Sequence, residues 1–405
     1  MADTGIKLNL SSSARRTALM GAMFLMATSA IGPGFITQTT VFTAQIGASF
    51  AFAILASILI DIAVQMNVWR VIGVSGLRAQ ELGNKVIPGI GWFLSGLVFL
   101  GGVVFNIGNI AGTGLGVNAM MGVDPKVGGL VSAVVAILIF VSKKAGMALD
   151  RIVVLLGAVM ILLMIYVAIV AAPPLGEALK NTILPETVDF LIITTLVGGT
   201  VGGYITYAGA HRMLDSGATG VKHVKEITRS SILGIMVTGL MRVLLFLAIL
   251  GVVAGGTVLS SNNMAAEAFG AAAGEIGLRM FGVVLWAAAI TSVIGAAFTS
   301  VSFITSSRTP ERKRNLITVI FIAGCATVYA FLGQAPQQLL IFAGAFNGLI
   351  LPVGFAVLLW VAWRRRDLLH GYVYPKWLLL IGVVTWFVTL FLGWNSVMGL
   401  AKLWS

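Results

Sequence analysis

The sequence predicts an all-α polytopic membrane protein of eleven transmembrane helices, arranged as two five-helix halves of opposite orientation plus one extra helix. Three observations predict it. Apolar residues make up 58% of the 405 and charged residues 10%, where a soluble domain carries roughly 25% charge. Eleven apolar runs approach the roughly 20 residues that a crossing helix needs. Two of these runs are broken at their centres by glycine, at matching places in the two halves: Ser29-Ala30-Ile31-Gly32-Pro33-Gly34-Phe35-Ile36-Thr37 and Gly198-Gly199-Thr200-Val201-Gly202-Gly203-Tyr204-Ile205-Thr206.

In order, the runs lie at 17–45, 50–72, 90–121, 127–142, 150–171, 190–214, 230–254, 277–305, 315–332, 336–362 and 377–400. The first is too long for a cleaved leader and lacks a small-residue cleavage site, so it is expected to be a span. With the N-terminus inside, the inner loops collect Lys7, Arg15 and Arg16; Arg70, Arg78 and Lys85; Lys143, Lys144 and Arg151; Arg212, Lys222, Lys225 and Arg229; Arg308, Arg312, Lys313 and Arg314; and Arg364, Arg365, Arg366 and Lys376. Only Lys126, Lys180, Arg279 and Lys402 fall outside, and Arg242 lies within a span. This asymmetry follows the positive-inside rule and expects a cytoplasmic N-terminus and an extracytoplasmic C-terminus. The net charge of +12 is thus a topology signal, with some attraction to anionic lipid, and does not point to nucleic acid. Cys325 is the only cysteine, so an intrachain disulfide is impossible.

The whole of 1–405 reads as one membrane domain, with 17–171 as a first inverted repeat, 190–362 as a second and 377–400 as the extra helix. Glycine and proline free backbone N–H and C=O groups from a helix ladder. In lipid such groups are tolerable only where they line a cavity or meet a ligand. Interrupted spans in corresponding halves therefore point to a secondary transporter's binding site. The two breaks share a short string, Gly-Phe-Ile-Thr at 34–37 and Gly-Tyr-Ile-Thr at 203–206.

The opposed directions of the first and sixth runs bring two half-helix N-termini together at the midplane. Each carries free N–H groups and positive dipole charge, which suits a carboxylate. Gly32, Gly34, Gly199, Gly202 and Gly203 are expected to let backbone approach a ligand, and a Cβ at Gly34 or Gly203 to occupy its space. The polar side chains near the breaks are uncharged, among them Thr28, Gln38, Thr200, Tyr204 and Tyr207. Asn106 and Asn109 lie one helical step apart on the third run. These groups suit a ligand with amide and carboxylate functions; interhelical hydrogen bonding is their alternative role. Asp61 and Arg242 are the charges nearest mid-membrane, on runs that the repeat would make mates, and each needs a partner. A structural charge pair is one solution; Asp61 carrying a coupling proton is another. His211 and Arg212 with Asp215 read as a cytoplasmic cap, with a proton relay through His211 as the alternative. No His-Glu-x-x-His or Gly-x-Ser-x-Gly motif is present among only three histidines, so an enzyme is not expected. No metal site or cofactor is expected either.

Gln337-Gln338-Leu339-Leu340-Ile341-Phe342 with Leu351-Pro352, and Asn106-Ile107-Gly108-Asn109-Ile110-Ala111-Gly112-Thr113, resemble the tenth and third spans of the NRAMP divalent-metal transporters, which have the LeuT-type fold. The resemblance implies that fold, alternating access and a coupling ion, H⁺ or Na⁺. The family's metal-binding strings differ here. Asp-Pro-Gly-Asn is replaced by Gly32-Pro33-Gly34-Phe35, and Met-Pro-His-Asn by Gly202-Gly203-Tyr204-Ile205. The acids of its third span correspond to Asn106 and Asn109, and its proton-linked histidine to Tyr204. Phe35 therefore stands where a metal ligand stood and is expected to wall the pocket. Phe24-Leu25-Met26-Ala27-Thr28-Ser29-Ala30-Ile31-Gly32-Pro33-Gly34-Phe35, Asn67-Val68-Trp69-Arg70 and Thr195-Leu196-Val197-Gly198-Gly199-Thr200-Val201-Gly202-Gly203-Tyr204 are similar to a bacterial subgroup of NRAMP-like proteins encoded beside 5-oxoprolinase subunits. That implies uptake of 5-oxoproline or a similar small organic acid across a bacterial cytoplasmic (inner) membrane. A Mg²⁺ or Mn²⁺ transporter is the alternative. Thr291-Ser292 resembles the hydroxyl pair that joins first-span carbonyls around Na⁺ in sodium-coupled LeuT-fold proteins; packing is its alternative role.

Overall fold

The computed structural model of the chain describes residues 12–259, 263–306 and 309–400, with the side chains of 143–154 and 396–400 left undescribed. Lys7, Arg308 and Lys402, and the side chains of Lys143, Lys144 and Arg151, therefore lie outside the described residues.

Each predicted run is helical. The first is two helices, α1 (Ser12–Ala30) and α2 (Pro33–Ile46), and the second is α3 (Phe50–Ser75). A short α4 (Ala79–Val86) precedes α5 (Ile90–Met121), α6 (Pro125–Val141) and α7 (Lys143–Ala171). After α8 (Leu175–Ile183), the sixth run is again two helices, α9 (Phe190–Thr200) and α10 (Ile205–Asp215). The rest are α11 (Val224–Ala254), α12 (Met264–Ile304), α13 (Glu311–Phe331), α14 (Pro336–Arg364) and α15 (Lys376–Leu400). Two runs begin with aspartate caps. Asp124 accepts from the Lys126 and Val127 amides ahead of α6, and Asp189 from the Leu191 and Ile192 amides ahead of α9, which satisfies orphan donors of the first turn.

Among the described residues, eight helical stretches are long and apolar enough to cross a membrane, or nine if Leu155–Ala171 and Leu175–Ile183, bent by 110°, form one span. This count differs from the eleven predicted runs at three places. The stretch Ser12–Ser75 is 64 residues long, which would be ~96 Å if straight, about three times the hydrocarbon thickness; two predicted runs share it. Pro125–Val141 is 17 residues, short of a full crossing. The bent pair includes the predicted run 150–171. Within α12, Gly274 is left-handed at φ 65°, so the helix changes direction there, close to the predicted start at 277.

The described core places α5 against α12, α9 against α14, and α3 against α11. A Cβ at Gly116 would sit 2.6 Å from the Trp286 amide nitrogen, and one at Gly282 would sit 2.7 Å from that of Met120. The α5 and α12 backbones therefore touch through small residues, as membrane helices do in the absence of a hydrophobic drive between them.

Two ion pairs made by buried arginines tie helices together, the first of them buried at both partners. Arg242 of α11 donates from Nη2 to Asp61 of α3 at 2.8 Å, and from Nη1 to Ser57 Oγ at 3.2 Å. Gln65 stands beside the Asp61 carboxylate. The second pair closes the end of the bundle that carries the basic loops. Arg78, fully buried, donates to Asp215 at 2.7 Å and to the carbonyls of Ser302 and Thr305. His211 joins this layer. Its Nε2 accepts from the Ala79 amide and its Nδ1 donates to Ser302 Oγ at 2.9 Å, since that hydroxyl itself donates to the Thr299 carbonyl. Both ring nitrogens are thus engaged across α4, α10 and α12.

Asp61→Asn leaves Arg242 buried without its counter-charge and is expected to lower stability by about 3–5 kcal/mol. Adding Arg242→Gln should recover part of that loss, read as the thermal unfolding midpoint of purified protein in detergent. A double variant that loses the full sum of the two single effects would show that the charges do not interact.

Candidate functional site

The two breaks meet in the protein interior. Gly32 caps α2 in an extended conformation and Tyr204 caps α10, and neither helix start has a side-chain cap. Pro33 opens α2 without an amide hydrogen, and the Ile36 amide returns to the Gly32 carbonyl at 3.3 Å. At the other break Gly203 is left-handed at φ 58°, a conformation that glycine adopts without Cβ penalty. The Thr206 hydroxyl donates back to the Val201 carbonyl.

Around these starts lies a group of fully buried, uncharged polar side chains. Gln38, Asn109, Tyr204 and Asn347 are each 0% exposed. Gln38 of α2 donates from Nε2 to the Leu340 carbonyl of α14 at 3.0 Å, while its Oε1 has no partner among the described residues. The Tyr204 hydroxyl faces Asn109 of α5 and Ser29 of α1. None of these three groups completes a hydrogen bond to the others: among the described residues the Tyr204 hydroxyl, the Ser29 hydroxyl and both amide atoms of Asn109 are buried without a partner. The Tyr204 ring packs edge-on against Phe105 at 5.3 Å. A lone buried polar group costs about 1–3 kcal/mol, and buried side-chain polar atoms are rarely left unpaired. Among the described residues, several such atoms gather at the two uncapped helix starts.

The predicted residues do not all converge there. Gln38, Asn109, Tyr204, Gly34, Gly199 and Gly203 do. Asn106 is rotated away and faces Cys325 of α13. Tyr207 points along α10 toward the basic-loop end, edge-on to Phe303 at 5.0 Å, and its hydroxyl fills the space a Cβ at Gly354 would need. Phe35 is buried in the main core. Thr291 donates only within α12, to the Ala287 and Ala288 carbonyls. Ser292 also donates within α12 but reaches the Thr28 carbonyl of α1 at 3.3 Å, and a Cβ at Gly32 would lie 2.8 Å from its Oγ. Asp61 and Arg242 form their own buried pair at 2.8 Å.

The glycines behave differently from the expectation that they open space for a ligand. A Cβ at Gly203 would overlap Asn347 Oδ1, one at Gly199 would overlap the Gln38 amide, and one at Gly202 would lie 2.5 Å from the Asn347 carbonyl. These glycines admit other parts of the protein. Gly34 is the exception: a Cβ there would make ordinary contacts of 3.6–3.7 Å with Phe105 and Gln38. Asn347 itself was not among the predicted residues. Its Nδ2 donates to the Gly101 carbonyl at 3.1 Å and the Ala343 carbonyl at 2.8 Å, and its Oδ1 is buried without a partner among the described residues. The available signal was an asparagine between Gly344 and Gly348 in the middle of an apolar run.

Comparison with known proteins follows the same lines. The family model for "natural resistance-associated macrophage protein-like" proteins, Nramp, matches residues 23–399. The chain is 50% identical over 389 residues to the membrane protein YcsG of Bacillus subtilis, covering 96% of each. It is also 50% identical over 377 residues to a Haemophilus influenzae membrane protein, covering 93% of this chain and 94% of the relative. Both relatives are described only as uncharacterized membrane proteins. Among solved structures it is similar to the Eremococcus coleocola manganese transporter in complex with an aromatic bis-isothiourea substituted compound, at TM-score 0.73 and 18% identity, covering 96% of this chain and 87% of that one. It is similar too to MhsT in complex with L-phenylalanine, at TM-score 0.67 and 16% identity, covering 95% and 98%.

Gly203→Val is expected to lower folded yield and unfolding temperature, because the new side chain displaces Asn347 and strains a left-handed residue. Gly34→Ala should stay within about 0.5 kcal/mol of the parent. Thermal unfolding and size-exclusion profiles of both variants check this pair, and equal stability of the two would refute the packing assigned to Gly203.

Proposed function

This chain belongs to the Nramp family of membrane transporters, and from that premise we propose that it carries a small organic acid, 5-oxoproline being the best candidate, by alternating access. The observation that carries the reading is the uncharged set of orphan polar atoms on Gln38, Asn109, Tyr204, Ser29 and Asn347, set between two uncapped helix starts. A carboxylate suits the positive ends of α2 and α10. A ring amide has a donor and an acceptor for side-chain amides such as Asn109 and Gln38 and for the Tyr204 hydroxyl. The resemblance to the subgroup encoded beside 5-oxoprolinase adds the particular acid. That MhsT holds L-phenylalanine on a similar fold supports a small carboxylate as a ligand compatible with this architecture.

In this reading 17–171 and 190–362 are inverted repeats that rock about the central site. The N-terminus is cytoplasmic, the C-terminus extracytoplasmic, and the membrane is the bacterial inner membrane. Uptake is driven by H⁺ or Na⁺. The contact of Ser292 with the Thr28 carbonyl supports that corner as the site for a sodium ion, should Na⁺ be the coupling ion. A proton would use the Asp61 carboxylate beside Arg242.

A divalent-metal transporter is the second reading, favoured by the family and by the likeness to a manganese transporter. A hard cation takes oxygen ligands, usually with a carboxylate among them. Among the described residues no group of three His, Cys, Asp or Glu side chains is placed to hold a metal ion, and the side chains at the breaks are neutral amides, hydroxyls and rings.

Purified protein in proteoliposomes should take up labelled 5-oxoproline saturably and should not take up Mn²⁺. Asn109→Ala should weaken 5-oxoproline binding by about 1–3 kcal/mol, roughly 5- to 150-fold, and Asn106→Ala by less, because Asn106 faces Cys325. Converting the ligand's carboxylate to an amide should cost more than either substitution. Competition by the amide equal to that by the acid would overturn the anion assignment, and saturable Mn²⁺ uptake lost in Asn109→Ala would establish the metal reading instead.

A further inference from the structure

A crevice of about 840 Å³ lies at the end of α3 and α11 that carries the basic loops. Arg70 of α3 and Lys222, Lys225 and Arg229 at the start of α11 line it, with Tyr372 from the segment before α15, and no carboxylate does. The acid nearest in sequence, Glu226, is held by Arg15 at 2.7 Å and is not part of the lining.

Arg70 is the informative residue. It is only 8% exposed. Its Nη2 donates to Thr228 Oγ1 at 2.9 Å, and its Nε is buried without a partner. Among the described residues it forms no ion pair. A buried guanidinium without a counter-charge is costly, as the contrast with the paired Arg78 and Arg242 makes plain. The start of the 31-residue α11 has no side-chain cap, so its first amides add donors, while the one acid of its first turn, Glu226, is engaged by Arg15. These features select an anion with several acceptor oxygens, and a phosphate group meets arginine in that way.

The crevice is not a purely polar pocket. Val221 and Val224 line it, and Ile232 and Leu233 continue the lining along α11 at 38% and 44% exposed. This strip lies one to two turns from Lys225 and Arg229. A ligand that fits has an anionic head and an apolar tail, as a phospholipid does at a helix end with basic residues at headgroup level.

We propose that this crevice is a binding site for an anionic glycerophospholipid. Arg70, Lys225 and Arg229 hold the phosphodiester, and an acyl chain lies along Ile232 and Leu233. The site is separate from the central one. It sits at the same end of the α3–α11 pair whose middle holds the Asp61–Arg242 bridge, so a bound lipid also fastens those two helices together.

The test is native mass spectrometry of the full chain released from detergent, after incubation with phosphatidylglycerol, with phosphatidylcholine, or with phosphatidylglycerol plus excess glycerol 3-phosphate. Phosphatidylglycerol should be retained over phosphatidylcholine. The Lys225→Gln/Arg229→Gln variant, changed only at exposed positions, should lose that retention by roughly tenfold or more, and Arg70→Gln should lose it as well. If Arg70→Gln fails to fold, the exposed double variant decides alone. Equal retention of phosphatidylcholine, unchanged retention in the double variant, or displacement by glycerol 3-phosphate would each overturn the proposal, the last by marking a soluble-phosphate site.

Discussion

The structure depends on how α14 covers two interrupted helices inside a membrane. An interruption frees backbone groups that lipid cannot satisfy, so both breaks have to be enclosed by protein. Helix α14 does much of this. Gln38 of α2 reaches across to its Leu340 carbonyl. On the other side, a Cβ at Gly198 would meet the Gly344 carbonyl and the Gly348 amide, and the Gly202 position abuts the Asn347 carbonyl. Asn347 then ties α14 to the Gly101 carbonyl of α5. One helix thereby braces α2, α9 and α5 over about two of its turns, from Leu340 to Gly348. The close approach of α9 and the break after it to α14 needs the small residues at 198, 202, 344 and 348, which explains why glycine is so dense there.

Charge is kept out of that centre and put to other uses. The Asp61–Arg242 pair lies between α3 and α11, and the Arg78–Asp215 pair closes the basic-loop end. Both arginines spend further donors on neutral oxygens, Ser57 for Arg242 and the Ser302 and Thr305 carbonyls for Arg78. A buried pair needs such extra bonds to offset its desolvation. The site between the breaks has the opposite character. It is neutral, its members are amides, hydroxyls and an aromatic ring, and its field comes from helix ends.

Much of the fold was legible in the sequence because hydropathy reports directly on which backbone can sit in lipid. The run at 90–121 matches α5 to the residue, and both breaks fall where Gly and Pro mark them. The count of crossings was less legible: Pro125–Val141 is short, and a helical turn at Gly47–Ser49 joins α2 to α3 without a loop. The site was legible only in part. Asn106 and Asn109 are three residues apart, which leaves about 60° between them around the helix, and that angle separates a side chain facing Tyr204 from one facing Cys325. The glycines misled for a different reason. A sequence shows that a position has no side chain, but not whether a ligand, a neighbouring backbone or a glutamine fills the gap. Asn347 went unnoticed because a single asparagine in an apolar span most often bonds a neighbouring helix. Its Nδ2 does so here, while its Oδ1 is left free toward Gly203.

The basic-loop end of the bundle is held by a layer of buried polar contacts. At the basic-loop end, Arg78, His211 and Gln80 all engage the last turns of α12: Gln80 and Arg78 both donate to the Ser302 carbonyl, and His211 to the Ser302 hydroxyl. Ser95 of α5 donates to the next carbonyl, that of Phe303, and Phe303 stacks on His211 at 4.8 Å. These bonds link α4, α5 and α10 to one segment of α12, and Arg78, His211 and Ser302 are each at most 1% exposed. Opening this end means breaking several buried hydrogen bonds together, two of them made by one arginine. Because these bonds converge on residues 302 and 303, side chains of α4, α5 and α10 are all fastened to the same last turns of α12 at the basic-loop end.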